Sequence, residues 1–596
     1  MQLKFQNNFI GYFKFYYSIV GKKLLIAISL SILVTLLDGV GLSMFMPLLK
    51  AVSGDAGSTK ESMGQLHYVT DAITKMGFPL TLNTVLVILV LLFSIKGVFK
   101  FLEQNYQAVV IQFFMKRVRH KLVDGLEKLS YKGFIKLDAG KIQNIFIAEV
   151  QRMSQAVRFY LSYSQSLFML ATYVILALLA NYQFAILVAV SAGLTNLLYR
   201  RIYKAMKNAS FEISKRGHDF NSYMIQAINY YKYLKSTNYL GKYSRKLEDV
   251  INKTEYLNRK TGYYGAITTG LREPMILFIV VFVIYIQINW MGGNMGSIIL
   301  SLILFYRALS FLVNLQTQWQ SFIQNTGAMR TVADISEVMT TECEVQGAKT
   351  FETIQKELRI MNTDLSYGNN KVLNNVNITI PKNHTIALVG ASGSGKTTLA
   401  NIIIGLISPD SGRVLIDNIP LTQYNLDSYR SKIGYISQDS VIFNDNIYNN
   451  VTFWAEPTAE NVQRFWEIIK MASLEEFVSN QPDKENTRLG DNGILISGGQ
   501  KQRISIAREM YKKVEILILD EATSALDSET EHIIQENIEN LHGHYTMIVI
   551  AHRLSTIRNV DTIYLLDKGN VTISGDFDFM LEKSEKFKRM VSLQGL

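Results

Sequence analysis

The stretch HTIALVGASGSGKT, residues 384–397, joins an apolar run to a turn that holds three glycines and ends in Lys396 and Thr397. The run predicts a buried strand, and the glycines let backbone N–H groups approach a phosphate. A helix that follows such a turn favours an anion at its N-terminus. We therefore predict a strand, a phosphate-binding loop and a helix, with Lys396 on the β- and γ-phosphates of a nucleotide and Thr397 on Mg²⁺. The residues predicted to hold the nucleotide here are Gly390, Ser392, Gly393, Ser394, Gly395, Lys396, Thr397 and Thr398.

An acidic motif lies downstream, where the apolar run ILIL is followed by Asp520 and Glu521. The run predicts a buried strand, and strand ends of an α/β sheet are where nucleotides bind. Asp520 is predicted to hold Mg²⁺, and Glu521 to polarise the attacking water as general base. An acid pair at a strand end is often merely solvated, but the phosphate-binding loop favours the catalytic interpretation.

The C-terminal part of the chain alternates β-branched runs with helical segments, which predicts an α/β domain over residues 356–596. Residues 331–355 precede it as a predicted linker. The single cysteine, Cys343, excludes a disulfide scaffold and a zinc site built on cysteines. Only 8 prolines and 38 glycines exclude a collagen-like or broadly disordered chain.

The N-terminal part has the composition of a membrane domain. The whole chain is 48% hydrophobic but only 19% charged, which is below the usual share of charged residues. A helix needs roughly 20 mostly apolar residues to cross a bilayer. Stretches of this kind predict an all-α domain with six spans over residues 22–330. The spans lie near 22–49, 80–104, 159–180, 184–203, 264–288 and 295–320.

The net charge of +11 is distributed unevenly along the chain. Residues 1–345 carry 36 Lys and Arg against 19 Asp and Glu, whereas residues 346–596 carry 25 against 31. Segments 116–158 and 200–260 hold 24 of the basic residues, and the loops on the opposite side hold only three lysines. Basic loops stay in the cytoplasm, so both termini and the α/β domain are predicted to be cytoplasmic. Topology thus explains the positive charge, and no nucleic-acid partner is predicted.

Long cytoplasmic extensions are predicted below the spans. No proline occurs within residues 80–273, so the second helix is predicted to continue to about residue 130, a length of roughly 75 Å. Turns are predicted at the tips of the extensions, near 131–141 and 223–236, where they suit contact with a soluble domain. Residues 1–21 mix aromatic residues with lysines and predict an interfacial amphipathic helix.

The run ISGGQKQR, residues 496–503, completes a set of motifs that resembles the ATP-binding cassette (ABC) transporter family. The family signature normally begins with leucine, so the isoleucine here is a mild departure. A serine and glycines that open a helix form a second anion site. The resemblance implies nucleotide contacts for Ser497, Gly498, Gly499 and Gln500.

The same resemblance implies roles for four other residues. Gln438 in IGYISQD would sense Mg²⁺ and water, and His552 in IAHRLS would contact the γ-phosphate. Asp527 in SALD would couple two nucleotide sites, and Tyr367 would stack on adenine. In this family the phosphate-binding loop of one subunit faces the signature helix of another. The resemblance therefore implies ATP and Mg²⁺ as cofactors and a homodimer as the active form, with a paralogous partner as the alternative.

Spans fused ahead of one nucleotide-binding domain are similar to the bacterial exporters and flippases of the family. This similarity implies ATP-driven outward transport across the inner (cytoplasmic) membrane. Within the spans, Lys96, Arg272 and Arg307 are predicted to face a cavity and bind an anionic headgroup, because guanidinium groups suit phosphate oxygens. Local ion pairing, or snorkelling near a helix end, is the alternative for these cations.

The stretches GVGLSMFMPLLKAV and VIFNDNIYNNVTF further resemble bacterial lipid-linked oligosaccharide flippases. Basic transmembrane residues of those flippases engage pyrophosphate, which implies a polyprenyl-pyrophosphate glycan precursor as substrate. Lys96 departs from an arginine in that pattern, and segment 51–79 is expected to hold a short amphipathic helix. The alternative function is export of drugs, peptides or other lipids. A receptor or channel regulator that binds ATP without turnover is disfavoured by the presence of Glu521.

Overall fold

The structure is a computed structural model that describes the helices and strands of two units, Met1–Cys343 and Glu344–Leu596. The first unit is helical, and the second combines helices with two sheets. The predicted pairing of an all-α domain with an α/β domain is therefore confirmed. The described residues are 8–45, 48, 75, 81–180, 182–289, 295–520, 536, 541–551 and 554–593.

Long helices dominate the described part of the first unit. Its helices are α1 (Phe9–Val20), α2 (Lys22–Ser43), α3 (Leu82–Glu127), α4 (Tyr131–Ile135), α5 (Ala139–Asn144), α6 (Val150–Ala180), α7 (Tyr182–Asn229), α8 (Tyr231–Ser236), α9 (Leu240–Gly270), α10 (Arg272–Asn289) and α11 (Met295–Thr341). Helices α3, α7 and α11 have 46, 48 and 47 residues. Each is therefore about 70 Å long, more than twice the thickness of a bilayer core, as the predicted extensions require.

Three described helical stretches are long and apolar enough to cross a membrane, namely Lys22–Ser43, Leu82–Glu127 and Ala139–Leu179. Many apolar side chains of α3, including Val87 and Val90, are exposed on the protein surface, which suits contact with lipid. Helices α7, α9, α10 and α11 cover the other predicted spans. Many side chains of α7, α10 and α11 in these spans lie outside the described residues.

The predicted span 264–288 is divided between two helices. Helix α9 ends at Gly270, and α10 begins at Arg272 after a turn at Leu271. Pro274 explains the division, because proline has no N–H to donate to the carbonyl of Gly270 and its ring clashes with that carbonyl. The apolar run alone did not reveal this break.

The aromatic face of helix α1 is buried in the first unit. The ring centroids of Tyr12 and Phe322 are 4.7 Å apart, and those of Tyr16 and Phe114 are 5.8 Å apart. Aromatic residues four positions apart lie on one face of a helix, so α1 presents a continuous aromatic stripe to its neighbours. The helix predicted within residues 1–21 is present over Phe9–Val20, and its aromatic face packs into the bundle.

The predicted tips contain the short helices α4, α5 and α8. Helix α5 packs so closely on α7 that a Cβ atom at Gly140 would lie 2.3 Å from the backbone N and Cα atoms of Ser222. A side chain at residue 140 therefore requires the backbone of α7 to move. Gly140 is what allows the two helices to approach so closely.

We expect Gly140→Ala to lower the free energy of unfolding by about 1–3 kcal/mol, the usual cost of overpacking. The control is Gly262→Ala in α9, where an added Cβ would meet nothing within 4 Å. That change should raise the free energy of unfolding by roughly 0.5–1 kcal/mol through helix propensity. Thermal unfolding of both variants in lipid nanodiscs checks the prediction, and equal stability of the two would contradict it.

The segment predicted as a linker, residues 331–355, is structured. Helix α11 continues through it to Thr341, and the first unit ends at Cys343. Phe351 and Ile354 are then buried in the core of the second unit. Apolar residues at these two positions explain why the segment packs onto that unit.

The second unit is an α/β domain. Its strands are β1 (Glu357–Tyr367), β2 (Asn370–Pro381), β3 (Thr385–Val389), β4 (Ser411–Ile416), β5 (Ile419–Pro420), β6 (Ile433–Ile436), β7 (Ile516–Asp520), β8 (Thr546–Ile550), β9 (Thr562–Asp567) and β10 (Asn570–Gly575). Its helices are α12 (Lys396–Ile403), α13 (Leu426–Arg430), α14 (Ile447–Thr452), α15 (Ala459–Met471), α16 (Glu475–Ser479), α17 (Gly498–Tyr511), α18 (Phe577–Lys583) and α19 (Glu585–Leu593).

Two sheets organise this domain. Strands β2, β1, β4 and β5 form an antiparallel sheet in that order. The larger sheet has the order β10-β9-β3-β8-β7-β6, and all of its neighbouring strands are parallel except β10, which is antiparallel to β9. Strands β3, β7 and β8 are buried along their whole length, as expected for parallel strands covered on both faces.

Candidate functional site: a nucleotide site at the sheet edge

The predicted nucleotide residues follow neighbouring parallel strands at one edge of the larger sheet. Gly390 follows β3, Ala551 follows β8 directly before His552, and Asp520 is the last residue of β7. Gln438 lies two residues beyond the end of β6. Because β3, β8, β7 and β6 are adjacent and parallel, these four chain segments leave the sheet at the same edge, which is where ligands bind in such folds.

The loop between β3 and α12 has a backbone that only glycine accommodates easily. The φ angles of Gly393 and Gly395 are +78° and +104°. A Cβ atom at Gly390 would lie 2.2 Å from the carbonyl oxygen of Leu566, and one at Gly395 would lie 2.7 Å from the side chain of Leu373. The loop is therefore drawn tightly against the sheet, with its N–H groups at the start of α12.

Lys396 and Ser394 give this loop its polar interior. The buried Nζ of Lys396 donates hydrogen bonds to the carbonyl oxygens of Gly390, at 2.8 Å, and Ala391, at 3.1 Å. The hydroxyl of Ser394 is buried and has no hydrogen-bond partner among the described residues. A cation and a hydroxyl donor beside a helix N-terminus fit a phosphate group. Thr397, in the first turn of α12, is exposed at this N-terminal end of the helix.

Asp520 is the buried acid of the site, and its carboxylate accepts a hydrogen bond of 3.2 Å from the hydroxyl of Tyr435. The side chain of Gln438 is exposed. Tyr367 ends strand β1 in the other sheet and is also exposed, as a stacking platform requires. Three predicted site residues, Glu521, Asp527 and His552, lie outside the described residues.

The signature motif opens helix α17. Ser497 is the N-cap, with the backbone N–H of Gln500 donating to its hydroxyl at 3.3 Å and its own N–H donating to the Gln500 amide oxygen at 2.9 Å. This reciprocal pair is a capping box, which fixes the helix start. Ser497 and Gly498 are exposed, so the N-terminal end of α17 faces outward. Gln500, for which the resemblance implied a nucleotide contact, holds the cap within this chain.

Arg508 is a buried residue of the site region that the sequence analysis missed. Its guanidinium donates to the carbonyl oxygens of Asn450, at 2.6 Å, and Val441, at 2.8 Å. It also lies over the rings of Phe443 and Phe453. Arg508 thereby fastens the signature helix to the segment that follows Gln438. The signal in the sequence was the arginine at position 508 within the run ISIAREM. An arginine in such a run needs partners if it is buried, because charged residues are almost never fully buried unless they are paired.

A charged cluster lies among the helices of the first unit. Lys96 of α3 forms an ion pair with Asp38 of α2, and the hydroxyl of Tyr173 in α6 donates to Asp38 at 2.6 Å. Arg307 of α11 acts electrostatically on the same tyrosine and is exposed. No described residue forms an ion pair with Arg307. Two of the three predicted cations, Lys96 and Arg307, therefore belong to one cluster. The side chain of the third, Arg272, lies outside the described residues.

A second buried carboxylate is locally satisfied. Glu103 is fully buried and accepts hydrogen bonds from Lys100, at 2.9 Å, from Ser31, at 2.5 Å, and from Gln165, at 3.1 Å. These partners come from α2, α3 and α6, so Glu103 joins three helices. A carboxylate held this way is a structural crosslink of the bundle.

Similarity to known proteins covers both units. Residues 24–315 match the ABC transporter transmembrane region, and residues 373–524 match the ABC transporter family. The ATP-dependent lipid A-core flippase of Ralstonia nicotianae is 30% identical over 518 residues, or 84% of this chain and 85% of that protein. The heterocyst differentiation ATP-binding protein HepA of Nostoc sp. is 28% identical over 484 residues, or 80% of this chain and 79% of that protein.

The fold is also that of a solved structure, a bacterial Atm1-family ABC exporter with ATP bound. It matches with a TM-score of 0.80 at 21% sequence identity and covers 97% of this chain and 100% of that chain. The two domain matches and the relative in Ralstonia nicotianae agree with the glycine-rich loop and the strand order described above. This chain therefore belongs to the ABC transporter family, as a membrane protein whose ATPase is coupled to transport.

Proposed function

We propose that the chain flips a polyprenyl-pyrophosphate-linked oligosaccharide, or a similar glycan precursor, outward across the inner membrane. The single observation that carries the proposal is Arg307, an exposed guanidinium in the middle of a predicted span, beside the Asp38–Lys96 pair. Relatives named for flipping a lipid support a lipid cargo. On this proposal the ATPase domain and both termini lie in the cytoplasm, where the basic loops belong.

The nucleotide is bound by the residues of the sheet edge. Lys396, Ser394 and the N–H groups of the loop would hold its phosphates, and Tyr367 would stack on adenine. Thr397, Gln438 and Asp520 would hold Mg²⁺, and their exposed hydroxyl, exposed amide and strand-end carboxylate fit this hard, oxygen-binding cation. When bound, Mg²⁺ would neutralise the charge of the phosphates.

Hydrolysis is assigned to two residues that follow the central strands. Glu521 would orient the attacking water and accept its proton, and His552 would donate to the γ-phosphate. Asp520 supports the role proposed for Glu521, because Asp520 is buried at the end of β7 and Glu521 is the next residue in the sequence.

A second copy of the chain would complete each ATP site. Within one chain, Ser497 and Gly498 are exposed beside two large apolar side chains, Ile494 and Leu495, which are 78% and 70% exposed. Such a surface suits burial against another protein. The signature end of α17 would then close over the nucleotide of the partner, and Asp527 would couple the two sites.

The substrate assignment rests on the charge of the membrane cluster. Asp38 neutralises one of the two cations, Lys96 and Arg307, so the cluster has one net positive charge. A cation in the middle of a span costs at least about 2.5 kcal/mol, unless it faces a cavity or binds an anion. Arg307 is thus the stronger candidate for the pyrophosphate, while Lys96 and Tyr173 hold Asp38 beside it.

A lipid A-core type of cargo is the second candidate, since several relatives carry that name. Both candidates use the same outward ATP-driven step. An exporter of drugs, peptides or other lipids is the broader alternative, and it would tolerate neutralisation of Arg307.

We expect Arg307→Ala to reduce flipping about tenfold or more, because a charge-assisted hydrogen bond contributes roughly 1.5–3 kcal/mol. Basal ATP hydrolysis should persist, since Arg307 lies in the membrane unit. The measurement is ATP-dependent flipping in proteoliposomes that contain lipid-pyrophosphate oligosaccharides or lipid A-core. Arg330→Ala is the control, because Arg330 is an exposed residue of the same helix beyond the span. Wild-type flipping of every lipid by Arg307→Ala would contradict the headgroup assignment.

A further inference from the structure

The chain is held firmly on both sides of Cys343, the last residue of the first unit. Within the first unit, the carbonyl oxygen of Glu342 accepts a hydrogen bond of 2.9 Å from the N–H of Ser130, the N-cap of α4. The Glu342 carboxylate forms an ion pair of 2.6 Å with Lys136, at the other end of α4. The end of α11 is therefore fixed to the tip helix α4.

Within the second unit, the chain is fixed at its first residue. The carboxylate of Glu344 accepts two hydrogen bonds from the guanidinium of Arg430, at 2.8 and 2.5 Å. The side chains are only 16% and 24% exposed, so the pair is largely shielded from water. Two parallel bonds between planar groups fix orientation as well as distance. Only Cys343 separates the residue bound to α4 from the residue bound to Arg430.

Arg430 and its neighbour in turn hold the end of the phosphate-binding helix α12. The guanidinium of Arg430 donates to the carbonyl oxygen of Gly405 at 2.6 Å, and the buried hydroxyl of Tyr429 donates to that of Ile403 at 2.8 Å. Carbonyl groups at a helix C-terminus lack partners within the helix and favour a cation. Helix α12 has only 8 residues, so its two ends are about 12 Å apart. Arg430 therefore contacts the end of α12 that is opposite to the glycine-rich loop.

The segment that follows Glu344 is bound to the rest of the second unit at several points. Gly347 and Lys349 form backbone hydrogen bonds of 2.9 Å with Tyr424 and Gln423. The ring of Phe351 packs edge-on against Tyr429, with centroids 5.1 Å apart. These contacts continue the attachment along the same surface that carries Arg430.

The far end of the segment is fastened by Asp417. Its carboxylate accepts backbone hydrogen bonds from Gln355, Lys356 and Glu357 at 2.8, 2.7 and 3.1 Å. Burial by itself raises the pKa of Asp417, but these three donors and the charge of Lys382 outweigh it and keep the pKa below the usual value. The carboxylate is therefore ionised at neutral pH and holds the end of the segment in place.

We propose that Glu344 and Arg430 are positioning residues that connect helix α12 to Cys343, the last residue of the first unit. Nucleotide binding at the N-terminal end of α12 moves Arg430 and Glu344, and the single residue Cys343 passes the movement to Glu342 and α4. The tie is a covalent route from the ATP site to the transmembrane helices. It goes beyond the proposed substrate and operates for any cargo.

Inserting two glycines between Cys343 and Glu344 tests the tie without changing either attachment. The measurement is hydrogen exchange of the full chain in nanodiscs, with and without Mg²⁺, ATP and vanadate. In wild type and variant alike, the trapped nucleotide should slow exchange over residues 390–405. The slowing over residues 131–144 should be present in wild type and fall below about a third of that response in the variant. The control is the same insertion after Gly543, in the exposed turn that precedes β8.

An unchanged response of residues 131–144 in the insertion variant would overturn the proposal. So would an equal loss in the Gly543 control, or the absence of any response in wild type. None of these results depends on the transported lipid, so they are distinct from a failure of the proposed function.

A second pair of variants, Arg430→Met and Arg430→Lys, probes the positioning directly. Arg430→Met should raise the KM for ATP several-fold more than it changes kcat, because the loop is then held less firmly. Arg430→Lys retains the charge and should recover part of the affinity. A fall in kcat at unchanged KM, or equal behaviour of the two variants, would contradict the assigned role.

Discussion

Replacing Lys396 with alanine is expected to reduce ATP hydrolysis by at least about 100-fold and to weaken ATP binding in parallel. Lys396 is the buried cation of the phosphate-binding loop, and its Nζ lies 2.8 and 3.1 Å from two carbonyl oxygens of that loop. Those bonds place the charge where the phosphates would lie. Removing it leaves the loop with neutral donors only.

The assay is ATP hydrolysis and nucleotide binding by purified protein in nanodiscs. Lys470→Ala is the matched control, because Lys470 is an exposed lysine at the end of α15 in the same domain. Hydrolysis by Lys396→Ala at the rate of the control would refute the location of the nucleotide site.

Glu521→Gln should bind ATP normally yet lose turnover by roughly 100- to 10,000-fold, the usual range for a general base. The amide keeps the size of the side chain but cannot accept the proton of the attacking water. Asp520, which is proposed to hold Mg²⁺, is unchanged, so nucleotide affinity should persist. The two variants thus separate binding from chemistry.

The measurement compares ATP affinity with steady-state hydrolysis for Glu521→Gln and for Glu475→Gln, a change of an exposed glutamate in α16. Glu475→Gln should hydrolyse ATP as wild type does. If Glu521→Gln did the same, another residue would have to be the base. If it lost ATP affinity instead, Glu521 would belong to the binding set.

The strand, glycine-rich loop and helix of residues 385–403 were predictable because their signals are local. An apolar run, three glycines and Lys396 follow one another directly in the sequence, and the φ angles of Gly393 and Gly395 show why glycine is needed there. The long helices were predictable for a similar reason, since uninterrupted runs without proline specify them. The placement of Gly390 and Asp520 at one edge of the sheet was predictable from the apolar runs that form β3 and β7.

Contacts between distant segments were not predictable in this way. Asp38 and Lys96 are separated by 58 residues, and only the packing of α2 on α3 shows that they form a pair. Glu344 and Arg430 are 86 residues apart and carry no motif. The linker hypothesis missed their pairing because a charged residue near a domain boundary is usually solvated. The burial of α1 could not be predicted from the sequence either, because an aromatic stripe suits both a membrane interface and a protein core.

The most direct test of the account follows a fluorescent polyprenyl-pyrophosphate oligosaccharide in proteoliposomes. Wild-type protein should move it between leaflets when Mg²⁺ and ATP are supplied, and Glu521→Gln should not. Equal movement with and without ATP, or by wild type and Glu521→Gln, would contradict the coupling of hydrolysis to lipid transport.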